Sequence, residues 1–476
     1  MDNRYRIASL KPFFEPESVA VIGASRTPGK GGYNIIENLR RLGFTGRVYP
    51  INPRAGEVGT LKAYPDLKNL PGKPELAIIV LPRSQVLKSL EHCIEAGAKA
   101  VIIESAGFGE MDESGARLEQ RMVQMAAGAG IRVMGPNSVG TINPGARLDT
   151  SLGRLNETFL PEDEIKEGTV GFIGQTGLFT GVFLPLINDE IGISKIACLG
   201  NKCDVDESDM LEYFGEDTGT RIIVMYLESI KDGRRFLGLS RRIVKNKPVI
   251  ILKSAVTGGG ARASATHTGA IAGEDRVYDA AFRQAGIIRV GSFEQLWDVA
   301  RAFVQAPLPP GDRVAIVNLG GSGCVTSVDA CVKNGLRIAE LSEKTKEIIK
   351  TVYPDWWKVM SPVDIWTAIE ASGFEATYTT ITRAVLEDDG VDAAVIIMGA
   401  NDWLPGRDVP ALFSSIRRDF PGKPLLAVTQ LGDREIFLKM RRGFQVIRVP
   451  CYTSDDDAIL ALAAMCRYQK HLSAAG

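Results

Sequence analysis

The chain has 476 residues, of which 45% are hydrophobic and 24% are charged. At roughly 100–200 residues per domain this length predicts about three domains, and the composition excludes a disordered chain, which buries too little apolar surface to offset its entropy. The 56 basic and 57 acidic residues give a net charge of −1. This balance excludes an overall electrostatic field that would attract nucleic acid or a membrane surface.

The sequence also predicts no membrane span, secretion signal or metal site. No stretch approaches the ~20 apolar residues of a membrane helix, and the N-terminal segment lacks the apolar core of a signal peptide. The seven cysteines are scattered without a CxxC pair, which is typical of neither a disulfide framework nor a zinc site. We therefore expect a cytoplasmic protein with no membrane or nucleic-acid partner.

The N-terminal part of the chain alternates short apolar strands with helices. The predicted strands span 18–22, 46–51, 77–81, 100–104 and 132–134, and the predicted helices span 33–42, 85–96 and 114–129. Nearly continuous apolar strands separated by helices indicate a parallel sheet that is covered on both faces. With right-handed crossovers, residues 8–145 are predicted to form a doubly wound, Rossmann-like domain.

Two further α/β units follow in the sequence. Their strands are predicted at 169–173, 195–199, 222–227 and 249–252, then at 313–319, 393–398 and 425–428, with a final helix over 455–468. The proline-dense stretch 306–311 between the two units is typical of a linker. We therefore expect the second and third domains at 166–306 and 312–470.

A glycine loop joins the first strand to the first helix. Its glycines permit a tight turn, and the free N–H groups of the helix start favour an anion. The spacing is not G-x-G-x-x-G, because Ser25 occupies the second glycine position, and no carboxylate follows the second strand until Glu57. Three cations lie here instead, namely Arg26, Lys30 and Arg54. This pattern favours a ligand with several phosphates, such as coenzyme A or NADP, although any α/β turn needs a glycine at this place.

Three further motifs lie at predicted strand ends, where ligands bind in α/β folds. They are G-F-T-G-R-V-Y-P-I-N-P at 43–53, S-A-G-F-G-E at 105–110 and G-P-N-S-V-G at 135–140. Together with the first loop they closely resemble the CoA-binding domain of the NDP-forming acyl-CoA synthetases, relatives of succinyl-CoA synthetase. The resemblance implies CoA contacts at Gly23, Ser25, Arg26, Lys30, Asn52, Pro53, Arg54, Ser105, Gly107, Phe108 and Asn137.

A histidine lies among small residues after three consecutive glycines at 258–260. An unobstructed imidazole can attack a phosphoryl or acyl group, but a single histidine is more often structural. The string S-x-x-H-T-G-A that starts at Ser264 matches the phosphohistidine loop of the same family. The resemblance implies that His267 is the phosphorylated residue and that Glu228, at a predicted strand end, orients its imidazole.

Two more loops of the segment 166–306 resemble this family. The loop 174–178 implies a phosphate site at Gln175, Thr176 and Gly177, completed by Gly269, although Leu178 replaces a small residue of the family pattern. The loop 200–206 matches the family's G-N-K-x-D-V-D motif. A structural alternative for this second loop is a polar turn in which an aspartate caps the helix that begins near Glu207.

The segment 312–470 resembles the ligase domain of the family. It carries a glycine loop, Gly320, Gly321, Ser322 and Gly323, which could bind a carboxylate or phosphate or could equally serve packing. The motif 361–364 follows, with Ser361 where the family has asparagine. Trp356, Trp357 and Trp366 could line an acyl pocket, but we expect them to be buried core aromatics.

The resemblance covers about residues 8–470 and implies an α/β protein with a Rossmann-like CoA-binding domain followed by two flavodoxin-like domains. It implies an α subunit of an ADP-forming acyl-CoA synthetase, of the acetate–CoA ligase type, that uses coenzyme A, an acyl-CoA or carboxylic acid, and phosphate. No segment resembles an ATP-grasp domain. ATP or ADP with Mg²⁺ is therefore expected on a separate ATP-grasp β subunit, in a heterotetramer or with a homodimer of this chain.

Two other classes of protein remain open at this point. A non-catalytic CoA- or acyl-CoA-binding regulator would share the fold, but it would not require both His267 and Glu228. An NAD(P)-dependent oxidoreductase is disfavoured by Ser25 and by the missing carboxylate for the ribose hydroxyls.

Overall fold

The computed structural model of the protein describes residues 3–153, 165–177, 184–187, 190–260, 274–400, 408–430 and 432–475. The chain forms two compact units, Met1–Gly291 and Ser292–Gly476. Within the described ranges, every helix is too short or too polar to cross a membrane.

The first unit begins with a five-stranded parallel sheet of order β2-β1-β5-β6-β7. Its strands are β1 (Ser18–Ile22), β2 (Arg47–Ile51), β5 (Leu76–Ile79), β6 (Ala100–Ile103) and β7 (Arg132–Met134), and a small hairpin of β3 (Glu57–Val58) and β4 (Leu61–Lys62) lies beside them. Every residue of β1, β5 and β6 is buried, as expected for apolar strands covered on both faces. The predicted parallel-sheet fold is confirmed.

Three helices of this region begin one or two residues earlier than predicted, namely α2 (Gly31–Arg41), α3 (Arg83–Glu95) and α4 (Glu113–Ala129). The N-terminal helix α1 (Asn3–Leu10) was not predicted. The first one or two residues of α2, α3 and α4 are polar or glycine, so apolar periodicity does not reveal them. Asp112 caps α4 by accepting a hydrogen bond from the Gly115 N–H, and Gly130 ends it with a left-handed φ of 69°.

A seven-stranded sheet of order β14-β13-β12-β10-β11-β8-β9 completes the first unit. Its parallel strands are β10 (Glu167–Gly174), β11 (Ile193–Cys198), β12 (Ile222–Leu227), β13 (Val249–Lys253) and β14 (Ile288–Val290), with helices α5 (Leu184–Ile187), α6 (Glu207–Glu216), α7 (Gly233–Ile243) and α8 (Asp275–Ala285). The antiparallel hairpin of β8 (Thr141–Asn143) and β9 (Leu148–Asp149) joins its edge at β11. This hairpin was not predicted, because strands of two or three residues show no periodicity.

The second unit contains a six-stranded parallel sheet of order β16-β15-β18-β19-β20, with β17 also paired to β15. Its strands are β15 (Arg313–Asn318), β16 (Arg337–Ile338), β17 (Val363–Asp364), β18 (Ala393–Gly399), β19 (Leu425–Gln430) and β20 (Cys451–Tyr452). Its helices are α9 (Phe293–Gln305), α10 (Gly321–Lys333), α11 (Glu343–Lys350), α12 (Trp366–Ser372), α13 (Phe374–Glu387), α14 (Val409–Asp419), α15 (Arg434–Val446) and α16 (Asp455–Ala475). Helix α9 packs on α16, with the rings of Phe303 and Tyr468 5.5 Å apart.

Candidate functional site

The first glycine loop lies at the carboxyl end of β1 and contacts the loop after β2. Gly23 has a φ of 92°, and a Cβ there would lie 2.3 Å from the Val80 carbonyl oxygen, so only glycine fits without strain. The Asn52 side-chain amide donates to the Ala24 carbonyl at 2.7 Å, and the Ser25 hydroxyl accepts from the Thr27 N–H at 3.0 Å. The two loops therefore meet at one edge of the first sheet, where four predicted contacts are exposed, namely Arg26, Lys30, Pro53 and Arg54.

We expect the substitution Gly23→Ala to destabilise the first unit, because alanine would be forced into a left-handed conformation and against a backbone oxygen. The expected loss in the free energy of unfolding is about 1–3 kcal/mol, measured by denaturant unfolding. Gly56→Ala is the matched control, since a Cβ at Gly56 meets no atom within 4 Å, and it should change stability by no more than about 0.5 kcal/mol. Equal stability of the two variants would contradict the argument.

The loop after β6 is closed by a glutamate that sequence reasoning did not select. The Glu110 carboxylate accepts from the Gly107 N–H at 2.5 Å and from the Phe108 N–H at 3.0 Å. Burial raises the pKa of Glu110, but these backbone donors and the Asn201 amide outweigh burial and leave the pKa below its usual value. The Phe108 ring is buried in the core of the first sheet, so the predicted CoA contact there concerns the backbone.

Asn201 connects this loop to the second sheet. Its side-chain amide donates to Glu110 at 2.5 Å and to Glu119 at 2.8 Å, and its backbone N–H donates to the Pro136 carbonyl at 2.9 Å. The Asn137 N–H donates in turn to the Ser105 carbonyl at 2.9 Å. The loops 105–110, 135–140 and 200–206 therefore form one hydrogen-bonded group, which brings together the predicted residues Ser105, Gly107 and Asn137.

The aspartates of the loop 200–206 have structural partners. Asp206 accepts from the Ser208 and Asp209 N–H groups and caps α6, so the structural alternative stated for this turn is correct. Asp204 accepts from the Arg132 guanidinium at 2.9 Å and from the Val133 N–H at 2.8 Å, which ties the loop to β7. These carboxylates therefore hold the loop in place.

Glu104, directly after β6, is buried with both carboxylate oxygens lacking a hydrogen-bond partner in the described part of the chain. Burial, and then the charge of Asp149, raises the pKa of Glu104 well above its usual value. Burial likewise raises the pKa of Asp149 to about 7. Both shifts favour the protonated form of a carboxyl that lies directly before the predicted CoA loop, a feature for which the sequence offers no signal.

Gln175 fixes the strand end that carries Glu228. The Gln175 amide oxygen accepts from the backbone N–H of Glu228 at 3.0 Å and of Ser229 at 3.3 Å, and both Gln175 and Glu228 are buried. The neighbouring Thr176 is half-buried and Gly177 is exposed. Gln175 thus holds the backbone at Glu228 through its side-chain oxygen, and its predicted phosphate contact stays a prediction.

Part of the predicted phosphohistidine site lies outside the described residues. His267 and Gly269 fall there, as do Ser264 and Leu178. The pairing of Glu228 with His267 therefore stays a prediction.

The glycine loop of the second unit leads from β15 into α10. Gly320 donates its N–H to the Asn318 side-chain oxygen at 3.3 Å, Gly321 and Ser322 are exposed, and a Cβ at Gly323 would lie 2.5 Å from Asn318. Close approach to a buried asparagine therefore requires glycine at 323, and Gly321 and Ser322 are open to solvent.

The expectation that the neighbouring tryptophans are buried is wrong for two of the three. Trp356 is 74% exposed and Trp366 is 40% exposed, whereas Trp357 stacks on Tyr353 at 5.9 Å and packs on the core. Trp356 lies in the segment before β17 and Trp366 begins α12, so neither lies on the inner face of an element.

Comparison with known proteins adds to this geometry. The profile of the CoA binding domain matches residues 17–144, and that of the succinyl-CoA ligase like flavodoxin domain matches residues 167–303. The chain is 38% identical to the acetate–CoA ligase [ADP-forming] II subunit alpha of Pyrococcus furiosus, over 97% of this chain and 98% of that protein. The chain belongs to the ADP-forming acyl-CoA synthetase family.

Other members of this family match over the same length. The acetate–CoA ligase [ADP-forming] II of Archaeoglobus fulgidus is 39% identical over 98% of this chain and 68% of that protein. The structure of a dinucleotide-forming acetyl-coenzyme A synthetase 1 from Ca. Korarchaeum cryptofilum, in complex with phosphate and ADP, has a TM-score of 0.85 and 32% identity, covering 98% of this chain and 97% of that one. The predictions of the family, the fold class and the ligase class are confirmed, and the oxidoreductase alternative falls.

Proposed function

We propose that this chain is the α subunit of an ADP-forming acyl-CoA synthetase, which interconverts acyl-CoA, ADP and phosphate with a carboxylic acid, CoA and ATP. The observation that carries the proposal is the group of loops in the first unit. The loops 105–110 and 135–140 of the CoA-binding region are hydrogen-bonded through Asn201 to the second sheet, whose strand β12 presents Glu228. One hydrogen-bonded part of the first unit thereby supports both a CoA site and a phosphoryl-transfer site.

The reaction proceeds in two transfers on this chain. A phosphate oxygen attacks the thioester carbonyl carbon, the C–S bond breaks, and CoA leaves as the thiolate, which gives an acyl phosphate. A ring nitrogen of His267 then attacks phosphorus, the bond to the acyl oxygen breaks, and the carboxylic acid leaves as its anion. Glu228 orients the imidazole by accepting from its other nitrogen, and the N–P bond keeps enough transfer potential to form ATP from ADP.

The first sheet binds the CoA in this proposal. Its exposed cations, Arg26, Lys30 and Arg54, neutralise the phosphates of CoA, and the backbone of the loop 105–108 contacts the pantetheine end. Asn52 and Asn137 hold the adjoining loops in position. Phosphate binds at Thr176, Gly177 and Gly269 in this proposal, and Gly177 is exposed. In the second unit, the exposed Gly321 and Ser322 are the candidate residues for binding a carboxylate or phosphate.

In this proposal the nucleotide step takes place on a second chain. ADP and Mg²⁺ bind to an ATP-grasp β subunit, which accepts the phosphoryl group from His267. The relative in P. furiosus that matches along its whole length is named as an α subunit, which supports a hetero-oligomer, either a heterotetramer or an assembly around a homodimer of this chain.

The test is phosphoryl labelling of the purified chain with radiolabelled phosphate and a panel of acyl-CoAs, alone and with a co-expressed ATP-grasp subunit. We expect a covalent label that is acid-labile and alkali-stable, as an N–P bond is, and the acyl-CoA that labels fastest identifies the substrate. CoA binding without label in any pairing would overturn the proposal and favour the non-catalytic CoA-binding regulator.

A further inference from the structure

Lys253 is a buried lysine at the end of β13, next to the strand end that carries Glu228. Leu227 of β12 and Lys253 are paired in the sheet, so Glu228 and Ser254 leave it side by side. The side chain of Lys253 is only 3% exposed. Its ammonium donates to the carbonyl oxygen of Glu228 at 2.7 Å and to that of Ser254 at 2.6 Å.

The ammonium has no carboxylate at ion-pair distance among the described residues. The Nζ atom of Lys253 lies 4.6 Å from the centre of the Tyr278 ring of α8, which is a cation–π contact. A buried ammonium without a counter-ion loses much hydration energy, and an apolar side chain would fill the same space at a lower cost. The presence of a lysine therefore requires a role for its hydrogen bonds and its charge.

We propose that Lys253 is a positioning residue for phosphoryl transfer, fixing with its ammonium the backbone at Glu228 and at the start of the segment that leads to His267. Gln175 holds the N–H of Glu228 and Lys253 holds its carbonyl, so the direction of the Glu228 side chain is set from both sides. The role rests on the proposed function, because it acts through Glu228.

The charge of this lysine is sensitive to mild alkali. Burial lowers the pKa of Lys253 to about 8, Asp275 of α8 and Glu228 favour the charged form, and Arg289 of β14 and Lys202 oppose it. Tyr278 faces it from α8. Above pH ~8 the folded protein therefore holds a neutral amine here, which weakens the charge-assisted hydrogen bonds and the ring contact.

The test compares Lys253→Met and Lys253→Arg with wild type in the rate of phosphoenzyme formation from pH 6.5 to 9.5. We expect Lys253→Met to be slower by about 10- to 100-fold, with acyl-CoA affinity unchanged by calorimetry. The wild-type rate should fall above pH ~8, and Lys253→Arg should be faster than Lys253→Met and keep its rate to the end of the range, because guanidinium stays charged.

Lys247→Met is the matched control. Lys247 also donates to two carbonyl oxygens, of Phe214 at 2.8 Å and of Asp217 at 2.6 Å, but it precedes β13 and lies at the opposite edge of the sheet. It should label at the wild-type rate with the same pH profile.

The outcomes separate this inference from the function on which it rests. If wild type and Lys253→Met form phosphoenzyme at the same rate, the positioning role alone would be overturned. If wild type is not labelled, either alone or with a co-expressed ATP-grasp subunit, the proposed function would be overturned, and the role of Lys253 with it. If Lys253→Met fails to fold, the wild-type pH profile decides, because a rate that stays constant through pH 9.5 would overturn the role.

Discussion

The variant His267→Ala will form no detectable phosphoenzyme from acyl-CoA and phosphate, whereas wild type will. Alanine carries no nitrogen lone pair that could attack phosphorus, so we expect the acid-labile label to fall by at least about three orders of magnitude. The measurement is acid-labile label per chain after a fixed time. Acyl-CoA affinity should stay at the wild-type value, because the predicted CoA contacts lie on the first sheet.

The other two histidines provide the controls for this experiment. The chain has only three histidines, and His92 lies on α3 while His471 lies on α16. His92→Ala and His471→Ala should each label like wild type. Label that persists in His267→Ala, or that disappears in His92→Ala or His471→Ala, would assign the phosphorylated residue elsewhere.

The variant Glu228→Gln will form phosphoenzyme about 100-fold more slowly than wild type, because a misdirected reacting group costs about that factor. The backbone at Glu228 is held by Gln175 and Lys253, so the substitution changes the side-chain charge without releasing the strand end. A neutral amide presents a donor as well as an acceptor to the imidazole and no longer stabilises its charge. Single-turnover labelling at saturating acyl-CoA measures the effect.

Glu167→Gln serves as the control for the loss of one negative charge. Glu167 is exposed at the start of β10, far along that strand from Gln175. It should label at the wild-type rate and unfold at the same temperature as Glu228→Gln. An unchanged rate in Glu228→Gln would remove this carboxylate from the mechanism.

Local sequence was sufficient to predict the strand-end loops of this protein. Gly23 follows a continuous apolar strand and precedes a helix, so its turn could be predicted from chain order alone, and the structure places it where only glycine fits. The same reasoning found the loops 105–110 and 135–140, because parallel strands direct their carboxyl ends to one edge, whereas the loop 200–206 was found from its family motif.

Sequence reasoning failed where a contact joins distant segments. Asn201 and Glu110 are 91 residues apart, and nothing near either residue indicates that they are hydrogen-bonded. Gln175 was selected only as part of a predicted phosphate loop, and nothing in its motif indicates that its side-chain oxygen accepts from the backbone 53 residues later. Trp356 was expected in the core because it is large and apolar, although its segment leaves it 74% exposed.

The sequence by itself determined the family, the alternation of strands and helices, and the strand ends that carry the candidate residues, because these depend on short-range patterns of apolar and glycine residues. The tertiary structure alone decided which buried polar groups support those residues. Lys253, Gln175 and Asn201 owe their roles to partners brought close by sheet order, and burial of Lys253 then lowers its pKa to about 8. Hydrogen bonding and desolvation depend on distance in space, which the order of residues along the chain does not contain.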